Sequence, residues 1–162
     1  MKRLWFALGL GLCLALSACS SQQVDLHTAE GKKIPLSSLQ GKWVVLNYWA
    51  SWCHNCRSEM KQLNQFYREH QADGKVKLYG VDFMGEQGHA LLVTLRKMGI
   101  HFPVLSDNPA QIYGIKPMQA VPVTIIISPK GKIAKTLLGP QTKQGLDKVL
   151  KRLQHHETAQ YE

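Results

Sequence analysis

Apolar and polar residues alternate in two short stretches, 24–27 and 33–36, with the turn signal Thr28-Ala29-Glu30-Gly31-Lys32 between them. That pattern predicts an N-terminal β-hairpin. Residues 37–42 read as a short helical turn leading into 43–48, where Val44, Val45 and Leu46 suit a central strand covered on both faces. After Cys56, apolar residues recur at Met60, Leu63, Phe66 and Tyr67, which predicts an amphipathic helix ending near 70–74. Residues 76–82 are the next strand. Gly85 and Gly88 bracket a loop holding Glu86, and a helix over 89–98 carries Leu91, Leu92 and Leu95 as its stripe before Gly99 ends it.

Residues 102–105 form a short strand that Pro103 restricts to a sheet edge or a strand start. Asp107 or Asn108 can cap a short helix over 109–113. A loop from Ala120 runs into a buried strand ending at Ile127, and 128–132 turn the chain into a paired strand over 132–138. The last helix is expected over 143–155, with Leu146, Val149, Leu150 and Leu153 on one face. Alternating strands and helices, closed by a hairpin and a helix, define an α/β chain with a central mixed sheet and helices on both faces.

The ends of the chain change the picture. Met1-Lys2-Arg3 followed by the apolar run 4–16 is a secretory leader, too short for an ordinary membrane span. It closes on Leu16-Ser17-Ala18-Cys19, which matches the lipobox of bacterial lipoproteins, where cleavage before the Cys leaves its sulfur to carry a lipid. The expected organisation is a leader over 1–18, a lipidated tether over 19–23, one domain over 24–155 and a flexible tail over 156–162. The expected location is the bacterial cell envelope, facing the periplasm and anchored through Cys19. In Gram-negative sorting, Ser20 would permit transfer to the outer membrane.

The 162 residues suffice for one domain with a real core. The formal charge of +9 falls to +7 once Lys2 and Arg3 leave with the leader, an excess that favours acidic partners or an anionic surface. No nucleic-acid motif accompanies it, and most lysines read as a solvated face. The paired His155-His156 at the tail is read as incidental rather than metal-binding.

Of the four cysteines, Cys13 leaves with the leader and Cys19 is blocked by lipid, so Cys53 and Cys56 can pair only with each other or with a partner's sulfur. They sit in Trp49-Ala50-Ser51-Trp52-Cys53-His54-Asn55-Cys56-Arg57, between a strand and a helix. Placed there, the first sulfur meets the unpaired N–H groups and positive dipole end of the helix, which stabilise a thiolate. The second sulfur lies about one turn behind and can close a disulfide. A structural zinc site would need further ligands, and c-type haem attachment would need His where Arg57 stands. A purely structural disulfide over so short a loop restrains little chain entropy. Redox chemistry is the reading, with Cys53 as nucleophile and Cys56 as resolving thiol. A protonated His54 beside Cys53 would lower its pKa; the alternative is an exposed side chain of little effect.

The order of elements and four stretches resemble the thioredoxin fold, and more closely the TlpA/ResA/DsbE-like envelope thiol-disulfide oxidoreductases. The stretches are residues 44–60, close to a WCxxCRxEM signature; Val81 to Glu86 with Phe102-Pro103-Val104; Val121-Pro122-Val123-Thr124; and Pro129-Lys130-Gly131-Lys132. The resemblance implies a thioredoxin-like fold with an N-terminal hairpin and an inserted strand-helix element. It puts a cis-proline at Pro122 opposite the CxxC, so that Val121 offers its backbone to an extended substrate. It points to Glu86 as an acid exchanging a proton with Cys56, with Asp82 as competitor. Trp52 is expected at the substrate site, packing with Trp49 around the sulfurs. The chain departs from the pattern at Lys61, where the family often has Pro, and at Asn47, where thioredoxin has a buried Asp.

The function implied is a lipid-anchored envelope thiol-disulfide oxidoreductase acting as a disulfide reductase, with no cofactor beyond the Cys53–Cys56 disulfide and no bound metal. Its substrates would be exported proteins with cysteines, apocytochrome c among them, and its donor a membrane dithiol carrier of the DsbD/CcdA kind. A monomer is expected. The alternatives are an envelope oxidase or isomerase of the same chemistry, or a Sco-like copper chaperone with His89 or His101 as third ligand. A peroxidase of the peroxiredoxin kind lacks its Pro-x-x-x-Thr/Ser-x-x-Cys pattern here.

Overall fold

The computed structural model describes residues 24–158. The leader, the Cys19 lipidation site, the tether and the last residues of the tail lie outside that range. The hairpin is β1 (Asp25–His27) and β2 (Lys33–Pro35), paired antiparallel with Leu26 opposite Ile34. A 3-10 turn over Leu36–Leu39 follows. The main sheet has five strands in the order β5-β4-β3-β6-β7. They are β3 (Trp43–Trp49), β4 (Val76–Asp82), β5 (Val104–Leu105), β6 (Val123–Ile127) and β7 (Ile133–Leu138). β4 runs parallel to β3 and β5 parallel to β4, while β6 is antiparallel to β3 and β7 to β6, so the sheet is mixed.

All seven residues of β3 are buried, as a central strand requires. Val45, Asn47 and Trp49 face one side of the sheet, and Val44, Leu46 and Tyr48 face the other. The first side is covered by α1 (His54–His70), α2 (Gly88–Met98) and α4 (Lys143–Thr158). They contribute Met60, Leu63, Phe66, Leu91, Leu95, Leu146 and Leu150 to one core cluster with Val45, Trp49 and Ile126. The second side is covered by the hairpin, the 3-10 turn and the segment around α3 (Ala110–Tyr113), through Leu26, Ile34, Leu39, Tyr113, Ile115 and Met118. Helices thus flank both faces, unequally. The strand β3–α1–β4–α2–β5 steps across the sheet in one direction, so right-handed crossovers place α1 and α2 on the same face. The inserted strand-helix element is β5 with α3, between α2 and β6.

Pro103 precedes β5 at the sheet edge, where its missing N–H costs no ladder bond. The carbonyl of Pro103 instead accepts from Gly80 N–H at 2.9 Å. Asn108 accepts from Ala110 N–H at 3.0 Å, while Asp107 is engaged by His27, at 2.6 Å from its backbone N and 3.0 Å from Nδ1. α4 extends three residues beyond the sequence expectation, to Thr158. It is held to α1 by His70 Nε2 against Asp147 at 2.8 Å, and by Lys143 paired with both Glu69 and Asp147. No helix among the described residues is long and apolar enough to cross a membrane.

Candidate active site

β3 delivers the chain to the carboxyl edge of the sheet, where Ala50 O accepts from Cys53 N–H at 3.1 Å and turns it into α1. Cys53 is the N-cap of α1, with extended backbone at φ −81° and ψ 109°. Its sulfur accepts from Cys56 N–H at 3.1 Å, the position that an oxygen holds in ordinary caps. The first turn of α1 carries no acid to compete with negative charge on that sulfur. The two cysteines are joined by a disulfide, with Cα atoms 5.2 Å apart. Cys53 is 6% exposed and Cys56 fully buried, so a partner can approach only the first sulfur. His54 is exposed on the first turn of α1. α1 runs unbroken through Lys61.

The Val121–Pro122 bond is cis. Val121 O lies 3.7 Å from Cys53 Sγ, so the loop before β6 faces the reactive sulfur as the resemblance implies. The two tryptophans part company. Trp49 is fully buried, and Trp52 is 64% exposed, projecting into solvent rather than shielding the sulfurs. Trp49 lies over Gly80, where an added Cβ would stand 3.0 Å from the indole nitrogen and 2.8 Å from Val104 Cγ2. Arg57 fastens the surroundings: one guanidinium nitrogen donates to Lys97 O at the end of α2 at 3.0 Å, the other to Ser51 O at 3.4 Å.

The acid anticipated at Glu86 is engaged elsewhere. Its carboxylate accepts from the Thr94 hydroxyl at 2.7 Å, which ties the loop after β4 to α2. Asp82 shapes the same loop by accepting from Glu86 N–H at 2.7 Å, and burial raises its pKa against that pull. The residue the sequence reading passed over is Glu59. It lies three positions after Cys56, one turn further on the same face of α1, and is 2% exposed. Its Oε1 accepts from Asn47 Nδ2 at 2.9 Å and its Oε2 from Gln141 N–H at 2.7 Å. Burial pushes the Glu59 carboxyl up to about 7, against the lowering effect of the Asn47 amide and then of the Gln141 N–H. Asn47 also donates to Thr124 Oγ1 at 3.1 Å. Among the described residues no group of three His, Cys, Asp or Glu side chains gathers where it could hold a metal ion.

A capped sulfur with only a small part of its residue exposed, a fully buried partner one turn behind it and a cis-proline loop facing the first sulfur, set on a mixed sheet, define a thioredoxin-type thiol-disulfide exchange site. Residues 20–136 match the AhpC/TSA family. The chain is 35% identical over 124 residues to the thiol-disulfide oxidoreductase ResA of Bacillus thuringiensis (strain Al Hakam), covering 76% of this chain and 70% of that protein. Its fold is similar to that of StoA from Bacillus subtilis, with TM-score 0.63 and 28% identity over 77% of this chain and 93% of that one. It is also similar to the pneumococcal exposed lipoprotein thioredoxin Etrx1 from Streptococcus pneumoniae strain TIGR4, with TM-score 0.63 and 27% identity over 80% and 98%. The chain belongs to the AhpC/TSA family and, within it, to the ResA-like thiol-disulfide oxidoreductases. It is a protein-disulfide oxidoreductase of thioredoxin-like fold. Leu46 and Ala50 stand where a peroxidase pattern would need Pro and Thr or Ser ahead of Cys53.

Proposed function

We propose that the chain works as a disulfide reductase of the bacterial envelope, held to a membrane by lipid on Cys19. The observation that carries the exchange chemistry is the arrangement of Cys53, Cys56 and Glu59 along the first two turns of α1. In the reduced protein the Cys53 thiolate attacks a substrate disulfide, a mixed disulfide forms, and one substrate sulfur leaves with the bonding electrons. Glu59 takes the proton of Cys56. The Cys56 thiolate then attacks Cys53 Sγ, closing the intramolecular disulfide and releasing the second substrate sulfur. With a pKa near 7, Glu59 holds and gives up a proton at ordinary working pH. Glu59 takes the place in this scheme first expected for Glu86.

Val121 and Pro122 present backbone to an extended substrate segment beside Cys53, Trp52 offers an exposed aromatic face to it, and His54, exposed on the first turn of α1, tunes the reactivity of Cys53. The substrates are exported proteins with cysteines, and a membrane dithiol donor of the DsbD/CcdA kind returns the disulfide to dithiol. One structural neighbour, Etrx1 of Streptococcus pneumoniae, is an exposed lipoprotein thioredoxin, which supports the anchored reading. The test of direction is the reduction potential of a soluble chain starting at Ser20. A value near or below that of thioredoxin, about −270 mV, is expected; one near that of DsbA, about −120 mV, makes the protein an oxidant. The anchor is tested separately, by whether the mature chain starts at Cys19 with the mass of a diacylglyceryl group on it.

A further inference from the structure

The disulfide marks one end of the molecule, and basic residues collect at the other. β3 starts at that far end, and its seven residues put about 20 Å between Trp43 and the turn that carries Cys53. There Trp43 N–H donates to Lys75 O at 2.9 Å and Gly41 N–H to Pro129 O at 3.1 Å, so Lys42, Lys75 and the 128–132 turn with Lys132 lie together. Lys75 and Lys132 are exposed, and Lys42 partly so. α4 runs the same way as α1, away from the sulfurs: Lys143 N–H meets Gln62 at its start, and Asp147 meets His70, the last residue of α1. Its later turns bring the exposed Lys151 and Arg152 to the same end. Of the acids described nearby, Asp25 is paired with Lys33 at 2.7 Å and Glu69 and Asp147 with Lys143, which leaves Asp73 and Glu157 to set against those cations.

The tether leaves from this end too. Leu36 N–H donates to Val24 O at 3.1 Å, and Leu36 lines a shallow hollow with Val44, Ile127 and Pro129, at the amino end of β3. Five residues lead from Cys19 to Val24, and fully extended they reach at most about 18 Å. A lipid on Cys19 therefore keeps the basic end within that distance of the leaflet. With the disulfide end down, Val24 would stand on the order of 20 Å away, beyond the tether's reach. Exposed Lys and Arg side chains within a screening length of an anionic leaflet are each attracted to it. We propose, resting on the lipid-anchored reading above, that the end of the domain around Lys42, Lys75, Lys132, Lys151 and Arg152 is a docking surface for the anionic headgroups of the membrane that holds the anchor. Docked there, the domain holds Cys53 about 20 Å above the leaflet, turned to partners in the aqueous space.

The test uses the soluble chain starting at Ser20, so that the surface is read without the lipid. Its sedimentation with vesicles of phosphatidylcholine is compared with that on vesicles of equal parts phosphatidylcholine and phosphatidylglycerol. Binding should be tighter to the second by roughly ten-fold or more, and should fade as added salt shortens the screening length. Lys42→Gln, Lys75→Gln and Lys132→Gln should each weaken it roughly five-fold, and Lys151→Gln and Arg152→Gln likewise. Lys61→Gln, Lys97→Gln and Lys116→Gln, exposed elsewhere on the domain, should leave it unchanged. Bound to vesicles, the reduced Cys56→Ser chain should be alkylated at Cys53 by a water-soluble maleimide as fast as when free. Equal binding to both vesicles, or equal losses in the two sets of variants, would overturn the proposal while leaving the anchor to be read from the mass on Cys19. Much slower alkylation on vesicles would put the disulfide end against the leaflet and overturn it as well. Binding of polyglutamate without binding of the anionic vesicles would give the surface to an acidic protein and overturn it. An unmodified Cys19 in the mature chain would remove the anchor reading, and the proposal with it.

Discussion

Asn47 on β3 donates its side-chain N–H to Glu59 on α1 at 2.9 Å, with both groups sealed from solvent. The strand supplies an amide here, and the acid that meets it comes from the facing helix. The amide's own oxygen is buried without a partner. An orphan acceptor of this kind costs on the order of 1–3 kcal/mol. The pair therefore holds a proton site at the expense of some stability, as strained or underpaired groups at working sites do.

Glu59 makes stability depend on pH. Its folded pKa is raised from 4.5 to about 7, so between those values the folded state binds the proton more tightly than the unfolded state. Stability is therefore greatest below the unfolded pKa and falls as pH rises through 7, by up to about 3 kcal/mol. Glu59→Gln should abolish that slope and raise the melting temperature at pH 8. Thermal unfolding of both proteins from pH 4 to 9 checks this.

The same substitution should slow resolution of the mixed disulfide by roughly ten- to a hundred-fold at pH 8, because Cys56 loses its proton acceptor. In the parent protein, resolution should lose about ten-fold per pH unit below 7, as Glu59 becomes protonated. Rapid-quench measurement of the mixed disulfide formed with a peptide would show both effects. Glu86→Gln, by contrast, should leave the midpoint of this profile in place.

Asn47→Ala removes the first of the two interactions that hold the Glu59 pKa down. The midpoint of the resolution profile should then move to higher pH. A midpoint that stays put would show that the amide does not govern the acid.

Gly80 gives way to the Trp49 indole. A methyl group there would stand 2.8 Å from Val104 Cγ2 and 3.1 Å from the Phe102 ring, all in packed core. Gly80→Ala should cost about 1–3 kcal/mol in urea unfolding, as overpacked positions do.

The elements of this fold could be read from the chain because each carries its own period. Residues 76–82 form the strand their apolar run predicts, and the seven buried residues of β3 follow from a run with no polar face to spare. The cis bond at Pro122 and the position of the CxxC came from motifs whose local sequence is distinctive. Glu59 did not show itself, because an acid beside the stripe of Met60, Leu63 and Phe66 reads as the solvated border of a helix. What buries it is the β7–α4 loop, through Gln141, eighty-two residues away. The spacing Cys56-x-x-Glu59 places the two on one helical face and was the available signal. Trp52 is exposed because the turn at 50–53 carries it outward, a matter of backbone path that composition does not report.

The most direct measurement is trapping. The single-cysteine proteins Cys56→Ser and Cys53→Ser, both reduced, are mixed with a peptide disulfide, and adducts are located by mass spectrometry. The expected result is a stable mixed disulfide on Cys53 in the first protein and little or none on the fully buried Cys56 in the second. Comparable adducts on both sulfurs, or on Cys56 alone, would contradict the assignment of Cys53 as the exchanging sulfur and with it the mechanism built on α1.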